Sequence, residues 1–254
     1  MSARSNSTKT MKRKFIRLFD RLIGPALREH YEVPSMEWSF RNMLKLGFDP
    51  KFIVDIGAFD GGWTKMAQEE FRNASILMME AQQAKQPGLE AIKQAGRGRI
   101  DYRMAVMGAT DGQKVVFHEY ENSPTASSML QDNALTDTRK VETTLRTLDS
   151  ILAADGFPQP DLIKLDVQGY ELEVLKGAET ALAGTEAVLM EVSVIELYQN
   201  NPILADVTSF MAEQGFRAYD ICSLLRRPLD NALCQIDIIF VKEGSKYLAR
   251  KVWS

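Results

Sequence analysis

From residue 52 onward the chain alternates between two rhythms of apolar positions. Short, nearly continuous apolar runs at 52–56, 75–80, 100–104, 162–166 and 187–192 have the length of strands buried on both faces. Between them, residues 63–71, 87–95, 170–176 and 205–214 place apolar side chains at helical spacing. Strands alternating with helices predict a doubly wound, Rossmann-like α/β fold around a mostly parallel seven-stranded sheet. The ending breaks the rhythm. Runs at 216–220 and 235–241 are joined by a segment with Arg226-Arg227-Pro228 and no helical pattern, so the last strand is expected to return antiparallel. A long insertion, about 106–160, has strand-like runs at 113–120 and 141–148 with Ser127-Ser128 between them. Structureless loops of that length are uncommon, so the insertion, β-rich by these runs, is expected to carry structure or to cover the site.

Upstream, residues 1–11 are polar and expected to be disordered. Phe15, Leu18, Phe19, Leu22 and Ile23 then follow a helical period among basic residues and stop at Gly24-Pro25. This amphipathic helix suits packing on its own domain or a second subunit; residues 12–23 also suit peripheral contact with an anionic membrane. A second helix near 36–46 ends at Gly47. The expected organisation is a tail and basic helix over 1–34 and one catalytic domain over 35–254. At 254 residues and 45% apolar content, one large core is affordable.

Net charge narrows the partners. The formal charge is −3, but residues 1–29 hold eight basic residues against two acids, leaving the body at −9. Such a body is not a nucleic-acid surface. Cys222 and Cys234 have no metal-ligand spacing and fit a reducing cytoplasm. No apolar run approaches the roughly 18 residues of a membrane span, and Arg17, Asp20 and Arg21 interrupt 15–23 as a secretory signal.

The candidate chemistry starts at the first strand, which ends in Asp55-Ile56 and runs into Gly57-Ala58-Phe59-Asp60-Gly61-Gly62-Trp63. Ligands of parallel sheets bind beyond the carboxyl ends of the strands, so this turn lies on the binding edge. A dinucleotide fingerprint spaces its glycines G-x-G-x-x-G to face a pyrophosphate; here the spacing is G-x-x-x-G-G, with Asp55 and Asp60 alongside. Carboxylates repel phosphate and suit a cationic cofactor, of which S-adenosylmethionine is the obvious candidate. Glu80 closes the second strand 23 positions after Gly57, near the interval of a ribose-binding acid. Asp166 and Glu191 end later strands on the same edge. Lys164 shares a side of its strand with Asp166 by the period of two, and a buried lysine needs an acid, which Asp166 or Glu191 could supply. Trp63 and Phe59 are expected mainly to pack the following helix onto the sheet.

The segment Ile163-Lys164-Leu165-Asp166-Val167-Gln168-Gly169-Tyr170-Glu171-Leu172-Glu173-Val174-Leu175-Lys176-Gly177-Ala178 resembles the signature of FkbM-type methyltransferases, a branch of the class I S-adenosylmethionine-dependent fold. The likeness runs from about Leu44 to Val241 and includes Asp55-Ile56-Gly57-Ala58, Glu80, Ala105-Val106, Ser127-Ser128 and Glu191. It implies that Asp55, Gly57 and Gly61 line the methionine end, Glu80 holds the ribose and Ala105 sits by the adenine. Ala58, Asp60 and Ser128 complete the expected cofactor set. Phe59 stands where the family usually has Asn, Ala81 where Pro follows the acid, and Gln168 where Glu is common.

The resulting expectation is an O-methyltransferase acting on a hydroxyl of a sugar, glycan or other small molecule. Asp166 would contact that hydroxyl, assisted by Lys164 and Glu191, with Glu171 and Gln168 shaping the acceptor side; His118 is the rival base, because its usual pKa near ~6.5 suits the task. No metal is expected in the leading reading, although Asp166 and Glu191 could hold Mg²⁺ in an alternative one. A second alternative is a non-catalytic module binding adenosylmethionine or adenosylhomocysteine. Nucleic-acid methylation is disfavoured by the acidic body and the lack of an Asn/Asp-Pro-Pro-aromatic motif. The acceptor's identity and the oligomeric state are not encoded in any periodic pattern.

Overall fold

A computed structural model describes residues 30–31, 33–249 and 251–253. The polar segment 1–11 and the amphipathic stretch 12–23 lie outside the described residues. The chain enters at helix α1 (Met36–Lys45), where the Ser35 hydroxyl accepts from the Trp38 amide. Strand β1 (Phe52–Ile56) follows, then α2 (Gly62–Glu70), β2 (Ser75–Glu80), α3 (Gln86–Ala95) and β3 (Ile100–Met104). After the insertion come β7 (Leu162–Leu165), α5 (Glu171–Lys176), α6 (Glu179–Gly184), β8 (Ala187–Ser193), α7 (Leu204–Glu213), β9 (Phe216–Arg226) and β10 (Leu233–Lys242).

The main sheet has seven strands in the order β3-β2-β1-β7-β8-β10-β9. Its first five strands pair in parallel, and β10 runs antiparallel between β8 and β9. This is the doubly wound sheet with an antiparallel final strand that the apolar pattern predicts. The reversal between β1 and β7 opens the crevice at which ligands of such sheets bind. One face of the sheet, with Ile53, Ile76, Leu162 and Ile239, packs against Phe40, Met43 and Phe71 from α1 and its neighbourhood. On the other face, Val54, Leu77, Ile163 and Val188 meet Leu148, Leu175, Val207 and Met211. Because both faces are covered, every residue of β1 is buried, including its one acid.

The insertion forms a separate three-stranded sheet, ordered β4 (Val106–Met107), β6 (Thr138–Arg146) and β5 (Lys114–Tyr120). Two expectations need correcting here. The second insertion strand spans 138–146 rather than 141–148, and Leu148 opens a helix, α4 (Leu148–Asp155), that the apolar pattern concealed. The Thr147 hydroxyl caps α4 by accepting from the Ser150 amide, which separates strand from helix at one residue. The strand expected at 216–220 also continues to Arg226, along the sheet edge.

Candidate active site

The β1–α2 turn is built by close approach. Gly57 has φ 78, and a Cβ there would sit 1.9 Å from the Asp166 carbonyl oxygen, so only glycine lets the β1 and β7 loops meet. Phe59 also has a left-handed backbone, φ 52, which accounts for the Asn common at that family position, since Asn tolerates this conformation better than Phe. The turn's amides find acceptors on β2 and within the turn. Gly57 and Ala58 both donate to the Met79 carbonyl at 2.9 and 3.0 Å, and Phe59 donates to Glu80 Oε2 at 2.7 Å. Gly62 donates to Asp60 Oδ1 at 3.0 Å. These N–H groups are therefore committed, unlike those of a phosphate-binding turn.

Beyond the turn lies a cavity of about 250 Å³ at the carboxyl edge of the sheet. Gly57, Ala58, Asp60, Glu80, Ala105, Lys164, Asp166 and Gln168, all expected site residues, line it. Glu80 is held by two amides, Phe59 and Gln82 (2.8 Å), while burial raises its pKa above the ordinary carboxylate value. A carboxylate with two amide donors keeps lone pairs for a ligand's hydroxyls. The wall beside Ala105 is apolar, made by Ala81, Met107 and Phe117. A carboxylate with lone pairs to spare next to an apolar wall fits an adenosine, and the acids around the turn fit a positive centre. The residues present thus suit S-adenosylmethionine. Trp63 and Phe59 line the cavity as well as packing: Trp63 meets Phe40 edge-on at 6.2 Å, and the Lys85 ammonium lies 3.5 Å from the Phe59 ring centre.

Below the cavity, strand register explains the charges. Asp55 pairs with Lys164 across β1 and β7, and Glu191 with Asp237 across β8 and β10. Alternation puts Asp55, Lys164, Glu191 and Asp237 on the same sheet face. Asp55 does not line the cavity. It is fully buried, accepts from the Thr64 hydroxyl at 2.7 Å and lies 3.1 Å from the Lys164 ammonium. Lys164 also donates to the Gly57 carbonyl at 3.1 Å and reaches Asp166 at 3.5 Å. Burial alone would depress its pKa, but Asp55, Asp166 and Glu191 outweigh burial and raise it, so the amine stays charged. The first partner of Lys164 is therefore Asp55, a pairing set by strand register and missed in the sequence.

Asp166 stands above this pair with 37% of its side chain exposed. Gln168 Nε2 donates to Asp166 Oδ1 at 2.7 Å and to Glu191 Oε2 at 2.8 Å. Glu191 sits behind the cavity wall and accepts a further bond from Gln235 at 2.7 Å. Burial and the neighbouring Asp166, Asp237 and Glu171 raise the Glu191 pKa well above the usual range. Glu171 does not line the cavity. Its buried Oε1 accepts from the Val167 and Gly169 amides at 3.0 and 3.2 Å, clamping the β7–α5 loop, and burial pushes its pKa to about 7.

Three other expected residues lie off the cavity. Ser128 is a latch: its hydroxyl donates to the Gln168 carbonyl at 2.7 Å, and its backbone pairs with His118. His118 alternates with the cavity-lining Phe117 and meets Thr138 at 3.4 Å instead; burial and Lys140 lower its pKa. Gly61 opens α2 with φ 70, and a Cβ there would sit 2.2 Å from Ile92. Sequence reasoning overlooked Thr125, Met129 and Tyr170 as lining residues, and only their place in the insertion and the signature segment hinted at them. Among the described residues, no group of three His, Cys, Asp or Glu is arranged to hold a metal ion.

The family model of the methyltransferase FkbM domain matches residues 55–218. A relative, the hexuronic acid methyltransferase AglP of Haloferax volcanii, is 29% identical over 110 residues, or 38% of this chain and 43% of that protein. The chain thus matches less than half the length of this relative. Among solved structures, a precorrin-6y C5,15-methyltransferase from Geobacter metallireducens has a TM-score of 0.46 at 11% identity, covering 82% of this chain and 87% of that one. The 1,6-didemethyltoxoflavin-N1-methyltransferase of Burkholderia thailandensis, with its substrate and S-adenosylhomocysteine bound, has a TM-score of 0.45 at 9% identity, covering 95% and 91%. With the match to the family model spanning most of the chain, from the Asp55 turn through the Asp166 segment into β9, the protein belongs to the FkbM family of S-adenosylmethionine-dependent methyltransferases.

Proposed function

We propose that this protein is an O-methyltransferase acting on a hydroxyl of a sugar or sugar-like acceptor, with Asp166 as general base. One observation carries the reading: Asp166 is a carboxylate of the Lys164 cluster that opens into the cavity, while Asp55 is buried beneath the turn. The sugar-type acceptor draws support from the name of the Haloferax relative. S-adenosylmethionine, when bound, supplies an electrophilic methyl group. Glu80 would hold its ribose, Ala105 and Met107 its base, and the turn from Gly57 to Asp60 its methionine end.

The chain's own residues then handle the acceptor. A sugar hydroxyl is a poor nucleophile until its proton leaves, and a positioned base is worth ~10²–10⁴-fold. Asp166 would take that proton as the acceptor oxygen bonds to the donor's methyl carbon and the methyl–sulfur bond breaks, giving a methyl ether and S-adenosylhomocysteine. Lys164, 3.5 Å away, steadies the ionised Asp166 before transfer. A magnesium-assisted version is disfavoured by the donor set, because the Gln168 amide N–H groups point between Asp166 and Glu191 where a cation would have to sit. A purely binding role is disfavoured by the open face of Asp166. The buried free thiols of Cys222 and Cys234 support a cytoplasmic setting, and no described helix is long and apolar enough to cross a membrane.

The test uses methyl-labelled S-adenosylmethionine with glucuronic acid and neutral sugars as acceptors. The expected product carries an alkali-stable label, as an ether does. Label released by mild alkali would mark a carboxyl ester, which needs no base, and would overturn the assignment to Asp166. Cofactor binding without transfer to any hydroxylated acceptor would favour the non-catalytic module.

A further inference from the structure

Gln168 is held at both its backbone and its side chain. Its backbone has φ 57, a left-handed conformation that is strained for a residue other than glycine. Both ends of its amide are engaged: Nε2 bridges Asp166 and Glu191, and Oε1 accepts from the Tyr198 hydroxyl at 2.8 Å. Carboxyl oxygens accept and the tyrosine hydroxyl can donate, so this amide orientation satisfies all three partners at once. Tyr198 also pairs through its backbone with Asp132 of the insertion, and the Ser128 hydroxyl holds the Gln168 carbonyl. The loop after β7, the end of β8 and the insertion therefore meet at this one residue.

We propose that Gln168 is a positioning residue whose amide holds Asp166 and Glu191 together, keeping the free lone pairs of Asp166 turned toward the acceptor. The inference rests on the reading of Asp166 as base. Two carboxylates this close repel unless a donor lies between them or one takes a proton. Lys164 reaches Asp166 from below, while the carboxyl groups of Asp237 on β10 and Glu171 on α5 crowd Glu191. The amide supplies two N–H groups without consuming the proton-accepting capacity of either acid. A glutamate at 168 could bridge only by holding a proton, and its single O–H would reach one carboxylate.

The test reads the carboxyl groups directly. The full chain, labelled with ¹³C at Asp and Glu carboxyls and saturated with S-adenosylhomocysteine, is titrated by NMR as parent, Gln168→Gly and Gln168→Glu; Asp166→Asn and Glu191→Gln assign the signals. Glycine accepts φ 57, so Gln168→Gly removes the amide without straining the loop. Losing a donor to the charged form raises a carboxylate's pKa. The Glu191 midpoint should therefore move to higher pH in Gln168→Gly. Methyl transfer to the sugar acceptor should fall about 10–100-fold in kcat, with KM and S-adenosylhomocysteine affinity within about threefold, as for a misplaced reacting group. Gln168→Glu should gain a loss of rate with rising pH that the parent lacks. Parent-like titrations in both variants would overturn the proposal. If the parent itself transfers to no hydroxyl, the O-methylation reading fails, while the titrations still decide the role of Gln168.

Discussion

Two charged groups lie within one side chain of each other and do different things. Asp55 and Lys164 form a buried pair under the glycine turn, closed by the Thr64 hydroxyl and the Gly57 carbonyl. Asp166 and Glu191, bridged by an amide, form with the neighbouring Asp237 an acid-rich group that opens to the cavity through Asp166. In the first, every charge has an opposite, so the pair fixes geometry. In the second, negative charge is in excess, so protons can be accepted. Lys164 touches both groups and is the seam between structure and chemistry.

That contrast can be broken by substitution, and the largest effect is expected at Asp166. Asp166→Asn should lower kcat by about 10²–10⁴-fold, as loss of a general base does. Because that side chain is 37% exposed, its urea midpoint should stay close to the parent's. Lys164→Met should do the reverse first: it strands Asp55 in the core, and breaking a buried pair costs about 3–5 kcal/mol in chemical denaturation. Adding Asp55→Asn to Lys164→Met should return much of that stability; no recovery would mean the pair is not what closes the turn. Glu80→Gln should weaken S-adenosylhomocysteine binding by about 10–100-fold in calorimetry, the scale of one charge-assisted hydrogen bond.

A smaller effect concerns pH. Glu171 has a folded pKa of about 7 against an ordinary 4.5, raised chiefly by burial. The folded state thus holds a proton that the unfolded chain has lost, so this group's contribution to stability falls as pH rises from 4.5 through 7. Glu171→Gln should flatten that fall in urea midpoints taken across the window. His118→Ala should be the mildest change, leaving turnover within about twofold, because the imidazole faces Thr138 rather than the cavity.

The central strands were legible because burial on both faces leaves an unbroken apolar run, and their bounds follow it nearly residue for residue. The insertion was harder. In β6 the exposed Arg139, Lys140 and Glu142 obscure the alternation, and the Thr147 cap cuts strand from helix inside one apolar stretch. At the site, glycine spacing and the acids at strand ends located the cavity. The partner of Lys164 was not readable, because it depends on which strand lies alongside and in what register. The same blindness applied to His118: its residue type fits a base, but alternation on β5 turns Phe117 inward in its place.

The amides of Gly57, Ala58 and Phe59 after β1 are taken up by acceptors on β2, and that finished wiring has a consequence for how the protein should respond to its surroundings. Inorganic phosphate and sulfate find no open anion cradle there, so they should not compete with the methyl donor at millimolar concentrations. Changing cofactor class by editing glycines alone should fail as well, since the Met79 carbonyl and Glu80 would still claim the same N–H groups.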